Sequence, residues 1–197
     1  MIDIDILLTW GAAFKKVAQG EMIFMEESEC HFYFQLVSGR VRWVNVYEDG
    51  SEFLQGVISP GESFGELPLF DDGKYAATAI ADTDSVVIRL HKPIFLQLII
   101  ENHKIHNSFN KLLAERLRFK FFILKEVAKH DPEHSISTLL NYFKLTNKNV
   151  CTDCNRVNLT RQQIADMTGM RVETVIRAIR SLQGKGQLVI EKGKVYC

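Results

Sequence analysis

The segment Asn158-Leu-Thr-Arg-Gln-Gln-Ile-Ala-Asp-Met-Thr-Gly-Met-Arg-Val-Glu-Thr-Val-Ile-Arg-Ala-Ile-Arg-Ser-Leu182 decides the reading of this chain. Thr160 stands three residues before Gln163, the spacing of a capping box in which each side chain satisfies a free amide of a new helix. Ile164 and Met167 give that helix an inward face. Ala165 is small where a second helix must come close, and Gly169 supplies the backbone freedom of a sharp turn. Val172, Val175, Ile179 and Leu182 then recur at helical spacing and predict a second helix with one buried stripe. Glu173, Thr174, Arg177 and Arg180 fall off that stripe. Glu173 and Arg177 are four apart and share a face. In a major groove, Arg suits a guanine edge and Glu accepts from a cytosine amino group.

The same two residues would serve an ordinary surface ion pair. Cap, small residue, turn glycine and apolar spacing agree, however, and together they favour a helix-turn-helix that reads DNA. One local feature disagrees. The second helix has no Ser, Thr, Asp or Asn cap, because Met170 or Arg171 occupies that place. Its start is therefore expected to be held by packing, or Arg171 stands there to meet a phosphate.

The chain has 197 residues, enough for one large or two modest domains, and is 46% hydrophobic with a formal net charge of zero. Neutrality alone argues against a nucleic-acid binder, but the charge is unevenly placed. Residues 155–197 hold eight Arg and Lys against three acids, a local charge of +5 that leaves −5 on the rest. Met1-Ile-Asp-Ile-Asp starts acidic, with no basic region or long apolar run, so no secretory signal is expected. Pro93–Ile100 is apolar but ends at Glu101, too short to span a membrane. Four cysteines without a dense framework fit a reducing cytoplasm.

Residues 14–90 read as β structure. Phe32–Val37, Val41–Tyr47, Glu52–Ile58, Tyr75–Ile80 and Ser85–Leu90 are expected strands, with turns at Ser38-Gly39, Glu48-Asp-Gly50 and Ser59-Pro-Gly61. Many short strands at this spacing predict a sandwich or roll. From Pro93 the period becomes helical. A stripe through Ile105, Phe109, Leu113, Leu117, Phe121 and Leu124 is longer than a roll needs for a lid, so two copies packed along it are expected to form a homodimer. A single helix lying across its own barrel is the competing reading. Asp131-Pro132 ends that helix and marks a boundary. Ser135–Lys144 is a further expected helix. Gly184–Tyr196 predicts a β-hairpin with Lys192 and Lys194 near its tip, a wing suited to phosphate contact. The expected organisation is α+β: an antiparallel roll over 1–100, a dimerisation helix over 101–130 and a winged helix-turn-helix over 131–197.

This order of parts resembles the Crp/Fnr transcription regulators over essentially the whole chain. Thr160-Arg-Gln-Gln-Ile-Ala, Gly169 and Val172-Glu-Thr-Val-Ile-Arg177 match the family's DNA-reading segment. Pro60-Gly-Glu-Ser-Phe-Gly-Glu-Leu-Pro-Leu-Phe70 matches its effector-site segment. Val172 before Glu173 resembles the Fnr-type reader, since an Arg commonly precedes the Glu in the Crp type. The resemblance implies a cytoplasmic homodimer on an inverted repeat of double-stranded DNA, with RNA polymerase as a further partner and no membrane. By it, Thr160, Arg161 and Gln162 anchor phosphates with the wing lysines. Glu173 and Arg177 read bases, assisted by Arg171, Thr174 and Arg180.

The same resemblance places an effector pocket at Gly65, Glu66, Leu67, Lys74, Ala76, Ala77 and Thr78. Members that bind cyclic nucleotides carry an Arg followed by Ser or Thr where this chain has Ala76 and Ala77. Thr78 is one residue further on, and Lys74 is the nearby cation. Burying a cyclic phosphate without a guanidinium leaves an unpaired charge, so cAMP and cGMP are disfavoured and Gly65-Glu66 is read as a retained structural turn. The effector is otherwise unknown, and a roll without ligand stays open. Only Cys30 lies in the first hundred residues, so an iron–sulfur cluster of the Fnr kind is not expected. His31, Cys30 and His91 form no recognisable haem ligand pair. Cys151-Thr-Asp-Cys154 is half a zinc site or a redox dithiol, with Asp153 and Cys197 conceivable extra ligands, or else a turn with two reduced thiols. A redox- or metal-responsive regulator is thus one alternative. A cupin-type metalloenzyme is a weaker one, since the roll has two histidines and no His-x-His spacing. The chain is not expected to be an enzyme.

Overall fold

The structure is a computed structural model that describes residues 1–197. The chain divides into two compact units, Met1–Glu115 and Arg116–Cys197. In order, the first unit contains α1 (Ile4–Thr9), β1 (Ala13–Val17), β2 (Met22–Phe24), β3 (Phe32–Ser38), β4 (Val41–Val46), β5 (Glu52–Ile58), β6 (Ser63–Phe64), α2 (Leu67–Asp71), β7 (Thr78–Ala81), β8 (Ser85–His91) and α3 (Lys92–Glu101). Helix α4 (His103–Val127) begins in this unit. The second unit contains the rest of α4, then α5 (Pro132–Thr146), α6 (Arg161–Thr168), α7 (Val172–Gly184), β9 (Val189–Glu191) and β10 (Lys194–Tyr196).

Two four-stranded antiparallel sheets, ordered β1-β8-β3-β6 and β2-β7-β4-β5, make the roll. Alternation along β3 explains how it is buried on both sides. Phe34 and Leu36 point between the sheets, while Tyr33 and Gln35 point to the helical side. Phe24, Phe34, Phe64 and Tyr75 fill the interior, with Phe24 and Tyr75 stacked at 3.8 Å between centroids. On the helical side Tyr33 stacks on Phe95 at 4.9 Å, and Phe95 meets Phe109 edge-on at 5.3 Å. The buried polar groups there are satisfied: Tyr33 Oη donates to Gln35 Oε1 at 2.6 Å, and Gln35 Nε2 donates to the Ile2 carbonyl at 3.0 Å.

Three expectations need correction. The strand expected over Tyr75–Ile80 begins only at Thr78. Ahead of it, side chains take the place of a ladder: Asn45 Nδ2 donates to the Ala76 carbonyl at 2.8 Å and Trp43 Nε1 to that of Ala77 at 3.3 Å. Helix α1 has no counterpart in the sequence expectations, and β1 and β2 fall in the expected β region without being among its named strands. Asp3 caps α1, accepting from the Asp5 amide at 2.9 Å. Finally, the long apolar stripe is divided between two tasks. Phe109 is 0% exposed inside the roll's own aromatic cluster, and Ile105 packs against the same core. Phe109 is thus not the exposed dimer contact expected of it, while Ile105 is half-buried. Leu113 is half-buried, whereas Leu117, Phe121 and Leu124 stand 57%, 64% and 65% exposed.

In the second unit, α4 ends at Val127, ahead of the Asp131-Pro132 pair expected to end it, and that pair instead starts α5. Asp131 Oδ1 accepts from the His134 amide at 3.1 Å as the N-cap of α5, and Pro132 occupies a first-turn position where its missing N–H costs nothing. Phe119 and Phe122 of α4 pack on Tyr142 of α5 at 5.2 and 4.7 Å between centroids. Ile136, Leu139, Leu140 and Phe143 of α5 are buried, as are Val175, Ala178, Ile179 and Leu182 of α7. Each large aliphatic side chain so buried contributes about 1.5–3 kcal/mol of transfer free energy. No helix is long and apolar enough to cross a membrane.

Candidate nucleic-acid interface and effector pocket

The first helix of the reader starts as its sequence dictates. Thr160 Oγ1 accepts from the Gln163 amide at 3.0 Å, and Gln163 Oε1 accepts from the Thr160 amide at 3.0 Å. The capping box is complete, and the Thr160 hydroxyl keeps its proton to donate outward. Gly169 ends the helix at φ +68, and the Met170 amide donates back to the Ala165 carbonyl at 3.1 Å. Nothing lies within 4 Å of where a Cβ on Gly169 would stand, so backbone conformation rather than space requires glycine there.

Helix α7 starts at Arg171, whose side chain makes no capping hydrogen bond. Val175, Ala178, Ile179 and Leu182 bury its apolar stripe. The opposite face presents Arg171, Glu173, Arg177 and Arg180 exposed, with Thr174 half-buried. Glu173 and Arg177, one helical turn apart, thus share one exposed face.

The wing is a two-residue hairpin pairing Glu191 with Lys194. Lys192 at φ +45 and Gly193 at φ +75 both lie in the left-handed region, the signature of a type I′ turn, and both lysines are exposed. Arg161 Nη1 donates to the Gly193 carbonyl at 2.5 Å, so this residue, expected at a phosphate, also fastens the wing to α6. Gln162, expected beside it, is exposed, and its Nε2 donates to Asp166 Oδ1 at 2.7 Å.

Sequence reasoning missed a further set. Glu133 of α5 accepts from Ser181 Oγ at 2.7 Å and pairs with Lys185 Nζ, tying down the C-terminal end of α7. The Lys185 and Ser181 hydrogen bonds hold the Glu133 carboxyl below the usual carboxylate range. These residues are about fifty positions apart, and no local spacing signals the link.

In the roll, Gly65 adopts φ +68 and Glu66 is fully buried at the start of α2. A Cβ on Gly65 would stand 2.5 Å from Phe24 Cζ and 2.9 Å from Tyr75 Cε1, so glycine here also answers close packing. Leu67 is exposed. Lys74 is exposed, and its Nζ faces Glu27 at 3.9 Å. Ala76 is exposed, Ala77 is buried, and Thr78 is buried with its hydroxyl accepting from the Glu26 amide at 3.0 Å. These residues do not fit a cyclic phosphate. Two methyl groups stand where the resemblance calls for a guanidinium and a hydroxyl, Thr78 is buried, and Lys74 faces a carboxylate. Seating the anion without a partner would cost several kcal/mol.

Cys151 and Cys154 lie in the turn between α5 and α6, Cys154 exposed and Cys151 half-buried. No group of three or more His, Cys, Asp or Glu side chains is placed to hold a metal ion, so Asp153 and Cys197 do not complete a ligand set with them. The Cys197 thiol instead donates to the Asn155 carbonyl at 3.8 Å.

Comparison with known proteins agrees with this geometry. Residues 14–102 match the cyclic nucleotide-binding domain, and residues 136–196 match the Crp-like helix-turn-helix domain. The chain is 31% identical to the cAMP-activated global transcriptional regulator CRP of Pasteurella multocida, over 86% of this chain and 80% of that protein. It is 27% identical to the cyclic AMP receptor protein of Thermus thermophilus, over 98% and 87% of the two chains. Among solved structures, a CRP-family transcriptional regulator from Thermus thermophilus superposes with a TM-score of 0.69 at 25% identity, covering 92% of this chain and 90% of that one. FixK2 from Bradyrhizobium japonicum shares the fold, with a TM-score of 0.77 at 20% identity over 94% and 91%. With its reader, wing and roll in the same order, the chain belongs to the Crp/Fnr family of DNA-binding transcription regulators.

Proposed function

We propose that the protein acts as a homodimer that binds an inverted-repeat operator, with two copies of α7 in successive major grooves. The observation that carries this reading is the division of α7 into a buried stripe and an exposed face bearing Glu173 and Arg177. A Glu on a DNA-facing helix repels phosphate and is useful there only when it accepts from a base, so the pair favours sequence-specific over architectural binding. Arg171, Thr174 and Arg180 assist at the bases. Thr160, Arg161, Gln162, Lys192 and Lys194 hold phosphates. Leu117, Phe121 and Leu124, too apolar for their exposure, supply the dimer contact, with Leu113 at its edge. RNA polymerase is the partner through which a regulator bound in this way would act.

The roll takes no part in sensing cAMP or cGMP in this reading. The two named relatives carry cAMP in their names, but Ala76 and Ala77 remove the charge partner that a cyclic phosphate needs. Site selection from a random duplex library tests the main claim. The expected product is an inverted repeat with half-sites about 34 Å apart, one helical turn. Recovery of sequences without two-fold symmetry would reject it. Addition of cAMP or cGMP is expected to leave affinity for the selected duplex unchanged, and a saturable increase would return the cyclic nucleotide to the roll.

A further inference from the structure

Cys151-Thr-Asp-Cys154 forms a single hydrogen-bonded turn, in which the Asn155 amide donates to the Cys151 carbonyl at 2.9 Å. The bond from residue 155 back to 151 makes this one turn of helix, in which Cα atoms three residues apart stand about 5 Å from one another, and disulfide-bonded cysteines place theirs about 4.4–6.8 Å apart. The backbone therefore already has the reach of a disulfide. The Cys154 side chain, with the Cys154 and Asp153 backbone, holds the Cys151 thiol below its ordinary range. Both cysteines can be approached from solvent. Cys197, the third cysteine of this unit, differs: burial pushes its thiol up, and it bonds to a carbonyl.

The turn is also wired to the wing. The Cys151 amide donates to the Arg156 carbonyl at 2.8 Å, the Val157 amide to the Val195 carbonyl at 2.8 Å, and the Cys197 amide to the Asn155 carbonyl at 3.2 Å. Arg156 pairs with Tyr196. The residues leaving the turn are thus hydrogen-bonded to β10, the strand that begins at Lys194. Asn155 leaves the turn at φ +56, a conformation with little room to absorb a shift.

We propose that Cys151 and Cys154 form a reversible dithiol–disulfide site, oxidised by a low-molecular-weight disulfide, whose closure displaces the wing and weakens DNA binding. The Cys151 thiolate attacks one sulfur of the external disulfide, forming a mixed disulfide and releasing one thiolate. Cys154 then attacks the Cys151 sulfur, releasing the second thiolate. The protein loses two protons and two electrons, and the reagent leaves as two thiols once the released protons are taken up. The S–S bond of about 2.05 Å and its dihedral near 90° force both side chains and the turn between them into one geometry, and the bonds named above pass that change to β10. The inference rests on the reading of the wing as part of the DNA contact.

The test uses the full chain equilibrated with mixtures of reduced and oxidised glutathione. Alkylation and peptide mass report the disulfide without DNA, and fluorescence anisotropy reports affinity for the duplex recovered by site selection. Reduced protein must bind that duplex before oxidant is added; failure there counts against the DNA reading and leaves the mass result standing on its own. The expected result is loss of two alkylatable thiols in the peptide carrying residues 151–154, with affinity falling about fivefold or more and returning with dithiothreitol. Cys151→Ser and Cys154→Ser, each made separately, are expected to bind equally well in reducing and oxidising mixtures, while Cys197→Ser keeps the response. A pair that stays fully reduced at the most oxidising mixture, an internal disulfide that leaves affinity unchanged, or an equal response in Cys151→Ser would each overturn the proposal.

Discussion

Arg161 Nη1 donates to the carbonyl of Gly193 at 2.5 Å, which makes the start of α6 and the tip of the wing one hydrogen-bonded piece. A guanidinium has five donors, so this bond leaves others for a phosphate. Arg161→Ala is expected to weaken binding to all duplexes alike and to lower the slope of log affinity against log salt by about 1. Amides of Val189–Tyr196 should exchange faster with solvent. An unchanged salt slope would take Arg161 out of the phosphate contacts and leave it as a wing fastener alone.

The wing turn carries a local conflict. Lys192 sits at φ +45, where a lysine gains nothing from its side chain and Asn is better tolerated. Lys192→Asn is expected to stabilise the fold by about 0.5–1 kcal/mol while weakening DNA binding. Thermal melting and anisotropy should therefore move in opposite directions. A variant that is more stable and binds equally well would exclude Lys192 from the interface.

Phe109 and Phe121 lie on one helix but belong to different surfaces. Phe109→Ala opens a cavity beneath Tyr33 and Phe95 and is expected to cost about 3–5 kcal/mol of stability. Leu117→Glu combined with Phe121→Glu should leave the fold intact and yield monomers in sedimentation. Intact dimers would refute the assignment of the exposed stripe to self-association.

Glu133 predicts a pH dependence whose sign is fixed. Its carboxyl is held below the usual range by Lys185 and Ser181, so the folded state favours the ionised form. The stabilisation is present above the unfolded value of about 4.3 and is lost as pH falls through the lower folded value. The pair is solvent-exposed and screened by salt, so the effect is small. Denaturant unfolding should show Glu133→Gln less stable than the parent at neutral pH, with the difference closing in acid. A difference independent of pH would mean that packing, not charge, links Glu133 to α7.

How much of this was legible in the sequence depended on how local each determinant is. Thr160 and Gln163, Gly169 and the Asp131-Pro132 start of α5 obey rules that span four residues or fewer, and each of these ends falls where those residues require. The apolar stripe of α4 announced that it would be covered but not by what, because periodicity reports a face and not its partner. Periodicity alone therefore points Phe109 at a second chain, whereas its own roll covers it. The crowding of Gly65 by Phe24 and Tyr75, the bonds from Trp43 and Asn45 that replace a strand at Ala76-Ala77, and the Glu133–Lys185 tie all join residues far apart in the chain. Strand β1 escaped notice because Lys15 and Lys16 interrupt any apolar alternation.

The central claim is that the exposed face of α7 reads bases through Arg177 and Glu173. Parallel site selections with the parent protein and with Arg177→Ala test it most directly. The account expects an inverted repeat from the parent. From the variant it expects the same repeat with one position relaxed symmetrically in both half-sites, at a loss of about 1–3 kcal/mol in affinity. Identical base preferences at every position of the two repeats would contradict it.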